Sequence, residues 1–460
     1  MGGCHPVKVT ITSELRVTNT SAPVVREIQR RLTFDNPRWI ENDKMGRWQG
    51  ETPQVLRFYR RQAGGLIIPR GYLLKLYYLC QRRGEPFAYT DRRRVLPDAG
   101  MTFKGSLRPF QRQAVRDMLR HDFGTLVCPT GGGKTVMGLC MAAERRQPTL
   151  VVVHTKELLH QWMERIRSFL GVAAADIGVI GQGRKHIGRR ITVALIQSLY
   201  KCAPEVRPHV GHLIIDECHR TPSRTFTEAV KRFDCKYMTG LSATPWRRDQ
   251  LSRLIFIFIG DVQHRVENTA LVRNGDILSA DVIVRETDFV PWSNPSTEYS
   301  TMLSELADNA DRNRLICGDV AAAAGEDQGV CLVLTDRKSH CETLQRILMR
   351  DFGTEVSVMT GDTPAAVRRD TVERINTGGI RVLIATGQLM GEGFDCRALT
   401  TLFLATPIKF SGRVIQYLGR VLRPAPGKDK AVVYDYVDVN VGPLKAAAKA
   451  RQRIYQGVQE

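Results

Sequence analysis

Apolar and polar positions follow two different rhythms along this chain, and the change falls near Lys104. Before it, Val7-Lys8-Val9-Thr10-Ile11 repeats every second residue, the period of a half-buried strand. Ala22 to Leu32 carries apolar residues at helical spacing, with Ser21 in the N-cap position and Pro23 at the helix start. Pro69-Arg70-Gly71-Tyr72 reads as a turn into a second apolar helix, Leu73 to Cys80. Arg92-Arg93-Arg94 reads as a charged, solvated linker. After Lys104, short unbroken apolar runs alternate with helical segments. The runs include Leu150-Val151-Val152-Val153, Ile191-Thr192-Val193-Ala194-Leu195 and Leu213-Ile214-Ile215. Between the first two, Leu158, Leu159, Trp162, Met163, Ile166, Phe169 and Leu170 mark one face of a helix that Gly171 ends. Such runs fit strands buried on both faces of a parallel sheet. The polar stretch Trp292-Ser293-Asn294-Pro295-Ser296 reads as a linker. A second set of strands follows near Val330–Leu334, Val356–Met359, Arg381–Ala385, Leu402–Ala405 and Val432–Val437, and Pro443 to Gln456 reads as an Ala- and Arg-rich helix.

The expected architecture is therefore α/β, with two doubly wound parallel-sheet lobes after a small α+β domain. The expected boundaries are 1–104, 105–283 and 284–460. Charge sharpens this picture. The chain has 460 residues and an ordinary 43% hydrophobic content, yet its formal net charge is +20, which favours polyanions and nucleic acid first among them. The leading domain combines arginines with Phe34, Trp39, Trp48, Phe58, Tyr59, Tyr72, Tyr77, Tyr78, Phe87 and Tyr89. That mixture suits gripping phosphates and stacking on unpaired bases, although about half of such residues are needed for a core. Eleven cysteines form no CxxC pair or zinc-spaced cluster, and Cys128, Cys140 and Cys331 sit inside apolar runs, as in a reducing cytosol. No segment approaches the roughly 18–20 apolar residues of a membrane span, and no signal peptide is expected. Gly2 suggests myristoylation, but Pro6 stands where Ser or Thr is required. A cytoplasmic location is expected.

The richest stretch runs from Gly124 to Gly138. The strand-like Thr125-Leu126-Val127-Cys128 leads through Pro129-Thr130-Gly131-Gly132-Gly133 to Lys134-Thr135 and a helix. A triphosphate needs backbone N–H groups aimed at its oxygens, and glycines at 131, 132 and 133 permit that approach at a helix N-terminus. Lys134 can reach the β and γ phosphates of ATP, and the Thr135 hydroxyl can serve Mg²⁺. Cys128 stands where the strict P-loop pattern has glycine. Downstream, His212-Leu213-Ile214-Ile215 ends in Asp216-Glu217-Cys218-His219, which puts carboxylates at a strand's C-terminal edge, facing the crevice of an open sheet. Asp216 is suited to hold Mg²⁺ and Glu217 to orient the attacking water.

Taken together, Pro129–Thr135, Asp216–His219 and Ser242-Ala243-Thr244-Pro245 resemble motifs I, II and III of superfamily 2 helicases. Ile384-Ala385-Thr386 with Gly391-Glu392-Gly393-Phe394-Asp395 resembles motif V, and Gln416-Tyr417-Leu418-Gly419-Arg420-Val421-Leu422-Arg423 resembles motif VI. Leu107-Arg108-Pro109-Phe110-Gln111 resembles the adenine-reading segment. The likeness runs from Lys104 to Val437 and is nearest to XPB-like and UvsW-like DNA helicases, on the DExH box, the Gly391–Asp395 segment and Trp246-Arg247-Arg248-Asp249 after motif III. XPB-type proteins often carry Arg-Glu-Asp there, and this chain has Arg247-Arg248-Asp249. The resemblance implies RecA-like lobes. It implies that Arg108 and Gln111 serve the adenine, that His219, Ser242 and Thr244 couple the ATP site to nucleic acid, and that Gln416, Arg420 and Arg423 assist hydrolysis, the arginines as fingers. It places Gly393 and Asp395 near the ribose. It makes Thr155, Gln197, Ser198, Arg337 and Thr386 contacts to nucleic-acid phosphates, which hold the backbone without reading sequence.

The function these readings imply is ATP-dependent unwinding or remodelling of branched duplex DNA in recombination, repair or replication, branch migration included. An RNA helicase, the motor subunit of a restriction or defence nuclease, and an ATP-gated binding module stand as alternatives.

Overall fold

The computed structural model describes residues 6–220, 224–243, 252–326, 329–387 and, with interruptions up to 430, 396–456. Thr244, Arg247, Arg248, Asp249, Gly393, Asp395, Gln416, Arg420 and Arg423 lie outside the described residues. The described chain groups into two compact units, one up to Arg265 and the other from Val266 onward, with Pro129–Gly132 counted in the second.

The first unit begins with strands β1 (Val7–Ile11), β2 (Glu14–Thr18), β3 (Thr33–Asp35), β4 (Val55–Arg57), β5 (Arg60–Gln62), β6 (Gly65–Pro69) and β7 (Phe87–Asp91). Five of them form a sheet in the order β5-β6-β2-β1-β7, and β3 pairs with β4 separately. The alternation in β1 buries Val7, Val9 and Ile11 on one face. That face meets the helices Ala22–Arg31 and Leu73–Arg82, which contribute Val24, Ile28, Leu76, Leu79 and Cys80. Ser21 caps the first helix by accepting a hydrogen bond from the Val24 amide.

A parallel sheet follows, built from β8 (Phe123–Val127), β9 (Thr149–Val153), β10 (Gly178–Gly181), β11 (Arg184–His186), β12 (Ile191–Leu195), β13 (His212–Ile215), β14 (Tyr237–Ser242) and β15 (Val262–Arg265). Their order is β11-β10-β12-β9-β13-β14-β8-β15, parallel throughout except for the β10–β11 hairpin. β9, β12 and β13 are buried at every position, which is why their sequences run apolar without alternation.

The leading block and this sheet share one continuous core. Val9, Leu15, Ile68 and Leu76 belong to the same cluster as Leu213, Phe233, Leu254 and Phe258. Phe58 meets Phe34 and Phe258 edge to face, each at 5.7 Å. A Cβ on Gly71 would lie 2.5 Å from the Phe256 carbonyl oxygen, so only glycine lets the two backbones approach this closely. Buried Arg70 donates to the Cys235 carbonyl at 2.7 Å. The expected solvated linker is corrected here. Arg93 is buried between Asp91 and Asp122, and Arg94 pairs with Asp234 while its backbone bonds to the main chain of residues 234 and 236. The arginines are ion-paired because partners 29 and 140 residues away in sequence fold against them. Of the aromatic residues, Tyr72 is buried, whereas Trp48, Tyr78 and Tyr89 stand exposed.

The second unit holds the parallel sheet β16 (Ala280–Thr287), β17 (Val330–Thr335), β18 (Ser357–Met359), β19 (Val382–Thr386), β20 (Leu399–Leu404) and β21 (Ala431–Asp438), ordered β16-β21-β20-β17-β19-β18. The boundary expected at 283/284 falls inside β16, whose eight residues pair with β21, so the strand cannot be divided between lobes. The expected linker at 292–296 is also corrected. It is a bonded turn within this unit, in which Glu305 accepts from the amides of Trp292 and Ser293 and Asn294 accepts from that of Ser296. The C-terminal helix Gly442–Tyr455 is fastened to β21 by a buried Arg451–Asp435 pair at 2.7 Å. Among the described residues no helix is long and apolar enough to cross a membrane.

Candidate active site

β8 delivers the chain to Cys128, which is fully buried, so a small apolar residue serves where the P-loop pattern has glycine. The Cys128 amide donates to the Ser242 carbonyl at 3.0 Å, and its own carbonyl accepts from Lys134 Nζ at 3.3 Å. Gly131 and Gly133 have φ of +90° and +86°, left-handed values that glycine adopts without strain. A Cβ on Gly133 would also strike Gln111 Nε2 at 2.3 Å. Gln111 is buried in the first turn of helix Pro109–Leu119, where its Oε1 accepts from the Arg108 amide at 2.9 Å. Gly133 is the N-cap of helix Lys134–Arg145, whose free N–H groups and dipole suit an anion.

β13 brings the acidic pair alongside. Asp216 is buried, with Oδ2 accepting from Trp162 Nε1 at 2.8 Å and Oδ1 from the Glu217 amide at 2.9 Å. Burial and the neighbouring Glu217 carboxylate push the Asp216 carboxyl above its ordinary range, while Trp162 and Lys134 oppose the shift. Glu217 is held at φ +48°, a conformation few non-glycine residues adopt and one often met at functional sites. Its carboxylate lies 3.9 Å from Lys134 Nζ and 3.2 Å from His219 Nδ1. His219 Nδ1 is in turn 3.1 Å from Ser242 Oγ. Lys134, Glu217, His219 and Ser242 thus form one polar chain across the ends of helix Lys134–Arg145, β13 and β14. A hydroxyl and a buried carboxylate are hard oxygen donors, and a carboxylate whose negative form is disfavoured by burial gains from a divalent cation. Thr135 and Asp216 therefore fit Mg²⁺.

Trp162 escaped the sequence reading as a site residue, because its place on an apolar helix face explained it fully. The available signal was its N–H, which needs a partner wherever a tryptophan is buried.

The residues expected to touch phosphates occupy strand ends. Thr155 follows β9 and caps helix Lys156–Leu170, accepting from the Leu158 amide at 3.3 Å. Gln197 and Ser198 lie in the first turn after β12, which pairs directly with β9. In the second unit, Arg337 follows β17 and donates to the Ser300 carbonyl at 2.6 Å, and Thr386 ends β19, buried beside Thr335.

Residues 104–247 match the family described as type III restriction enzyme, res subunit, and residues 314–425 match the helicase conserved C-terminal domain. Among curated relatives, a putative ATP-dependent RNA helicase, L396, of Acanthamoeba polyphaga mimivirus is 25% identical over 87% of this chain and 78% of its own length. The DNA 3'-5' translocase XPB2 of Sulfurisphaera tokodaii is 28% identical over 76% of this chain and 85% of its own. A fragment of a putative HsdR subunit of a type I restriction enzyme from Vibrio vulnificus shares the fold at a TM-score of 0.58. It has 16% identity and covers 100% of this chain and 85% of that one. Both halves of the chain match helicase families and its curated relatives carry helicase and XPB names; this chain is an ATP-hydrolysing helicase of superfamily 2, related to the XPB-like members.

Proposed function

We propose that this chain is a DNA translocase that couples ATP hydrolysis to unwinding or remodelling of branched duplexes. The observation that carries the reading is the Lys134–Glu217–His219–Ser242 chain, which links the phosphate-binding loop to the strand end where motif III begins. Lys134 and the N-terminus of its helix bind the β and γ phosphates. Glu217 takes up the proton of the attacking water and orients its lone pair toward the γ phosphorus. Thr135 and Asp216 would hold Mg²⁺, which would supply positive charge to offset that of the phosphates. Trp162 fixes the Asp216 carboxylate in position. His219, exchanging its bond between Glu217 and Ser242, reports the state of the γ phosphate to motif III. Gln111 and Arg108 serve the adenine, Gly393 and Asp395 the ribose, and Gln416, Arg420 and Arg423 the charge that develops during phosphoryl transfer.

Nucleic-acid binding follows from the family, and DNA is favoured over RNA by the XPB2 relative, which is named as a DNA 3'-5' translocase. The mimivirus relative is named as an RNA helicase. Thr155, Gln197, Ser198, Arg337 and Thr386 are proposed to hold the backbone. One experiment tests the reading: ATPase stimulation compared across single-stranded DNA, duplex, forks, four-way junctions and RNA. Forks and junctions should stimulate most. Stimulation by RNA alone, or equal stimulation by every DNA, would overturn the branched-DNA assignment.

A further inference from the structure

The hairpin β10–β11 is tied to the nucleic-acid edge of the first unit yet belongs to none of the motifs above. Gly181 pairs with Arg184, leaving a two-residue turn of Gln182 and Gly183 at φ +55° and +77°. Two successive left-handed residues make the tight turn whose twist matches a hairpin. Because β10 runs parallel to β12, which pairs in parallel with β9, this turn lies at the same sheet edge as Thr155 and Gln197. Two contacts fix it there. Gln182 Nε2 donates to His160 Nε2 at 3.0 Å, on the helix that Thr155 caps. A Cβ on Gly181 would meet the Leu195 side chain at 2.8 Å, just before Gln197.

From this turn the chain descends along the open edge of the sheet. Residues 182–190 contain Arg184, Lys185, His186, Arg189 and Arg190 and no acidic residue, and all five of these are exposed. Lys185 is paired with Glu205. Strand alternation then puts Arg184 and His186 on the opposite face. A charged residue on an edge strand commonly serves only to prevent edge-to-edge pairing. That purpose is met by Lys185 alone, and it does not account for Arg189 and Arg190, which lie beyond the strand.

We propose that Arg184, His186, Arg189 and Arg190 form a phosphate-binding strip for the double-stranded arm of a DNA substrate. The strip starts beside the Thr155–Gln197 edge and runs away from it, so it serves the part of the substrate that extends beyond the contacts proposed at that edge. This rests on the DNA reading above.

The test uses the full chain with Arg184→Gln, Arg189→Gln and Arg190→Gln combined. A control, Lys445→Gln, Lys449→Gln and Arg453→Gln, removes equal charge from exposed positions on the C-terminal helix. Binding of a labelled fork and of oligo(dT) is measured across a salt series. The hairpin variant should bind the fork about tenfold or more weakly, and its salt slope should fall by about 2 to 3, near 0.9 for each lost duplex phosphate contact. Its oligo(dT) affinity and DNA-free ATPase should match the parent. Equal loss on oligo(dT), equal loss in the control variant, or an unchanged fork affinity overturns the strip while leaving the DNA reading intact. A parent protein that binds no DNA overturns both.

Discussion

Replacing Trp162 with Phe isolates a single atom's contribution to the active site. The indole N–H donates to Asp216 at 2.8 Å, and the rest of the ring packs in the core against Gly138. Phe keeps most of the apolar contact and removes the donor. A hydrogen bond to a charged group contributes roughly 1.5–3 kcal/mol. With the donor gone, the buried Asp216 carboxylate loses a group that favours its charged form, and the carboxyl should move further above its ordinary range. The rotamer that presents Asp216 to the site also loses its fastening. Groups that orient a metal ligand typically carry about 10–100-fold in metal affinity or activity. The expected result is therefore a Mg²⁺ requirement for ATPase raised by about that factor, with kcat partly restored at saturating Mg²⁺. The assay is steady-state ATPase over a Mg²⁺ titration at fixed free ATP, with a thermal melt to confirm folding. A folded variant whose Mg²⁺ dependence matches the parent would refute the role given to Trp162.

Three further outcomes follow from the same structure. Lys134→Ala should weaken ATP binding and abolish turnover, whereas Glu217→Gln should still bind ATP and hydrolyse it very slowly; normal steady-state turnover in either contradicts the assigned roles. Deleting residues 1–103 should disable the first lobe as well as DNA handling. Uncovering the buried Phe258 alone costs up to about 1.5–3 kcal/mol, and the rest of the shared core adds to it, against a typical domain stability of about 5–15 kcal/mol. A truncated protein with a cooperative melt and full ATPase would show that the shared core is dispensable. Finally, burial holds His212 and His340 down to about 3, against an ordinary value of 6.5. The unfolded chain therefore takes up protons near pH 6.5 that the folded chain refuses, and stability is lost as pH falls from there toward 3, by roughly 1.4 kcal/mol per pH unit per histidine. Urea melts at pH 7 and pH 5 should differ accordingly, and His212→Gln should reduce the difference; an unchanged pH dependence in that variant counts against the burial effect.

The parts of this fold that were readable in sequence share a physical basis. A strand buried on both faces has no reason to alternate, so β9, β12 and β13 announced themselves as apolar runs, and the acidic pair after β13 followed from the strand's end. Gly131 and Gly133 were readable because their backbone angles exclude most other residues. What stayed hidden depends on partners distant in the chain. β16 exposes most of its residues and carries no clean period, and only pairing with β21, some hundred and fifty residues later, makes it a strand of the second sheet. The same holds for Trp162, whose partner Asp216 lies 54 positions away.

The arginine-rich leading block shows most plainly how composition can mislead. Arginines beside aromatics suggested a separate arm for nucleic acid, and a triplet of arginines suggested its tether. In the structure Arg70, Arg93 and Arg94 are turned inward or paired, and they join the block to the first lobe. Arg70 and Arg93 both lie over the ring of Phe123, the first residue of the strand that leads to the phosphate loop. Lys75 pairs with Asp261, whose carbonyl accepts from the Thr125 amide of that strand. These contacts fasten the block to the base of the nucleotide-binding strand, because separating the two would break the Arg70, Arg93, Arg94 and Lys75 hydrogen bonds and ion pairs together and uncover apolar surface of the shared core. A block held in this way moves with the lobe. The exposed Trp48, Tyr78 and Tyr89 are thereby carried on the same packed body as the strand Phe123–Val127 and the helix headed by Lys134, so a ligand held on that side of the block would be coupled to the first lobe through side-chain packing and not through a flexible tether.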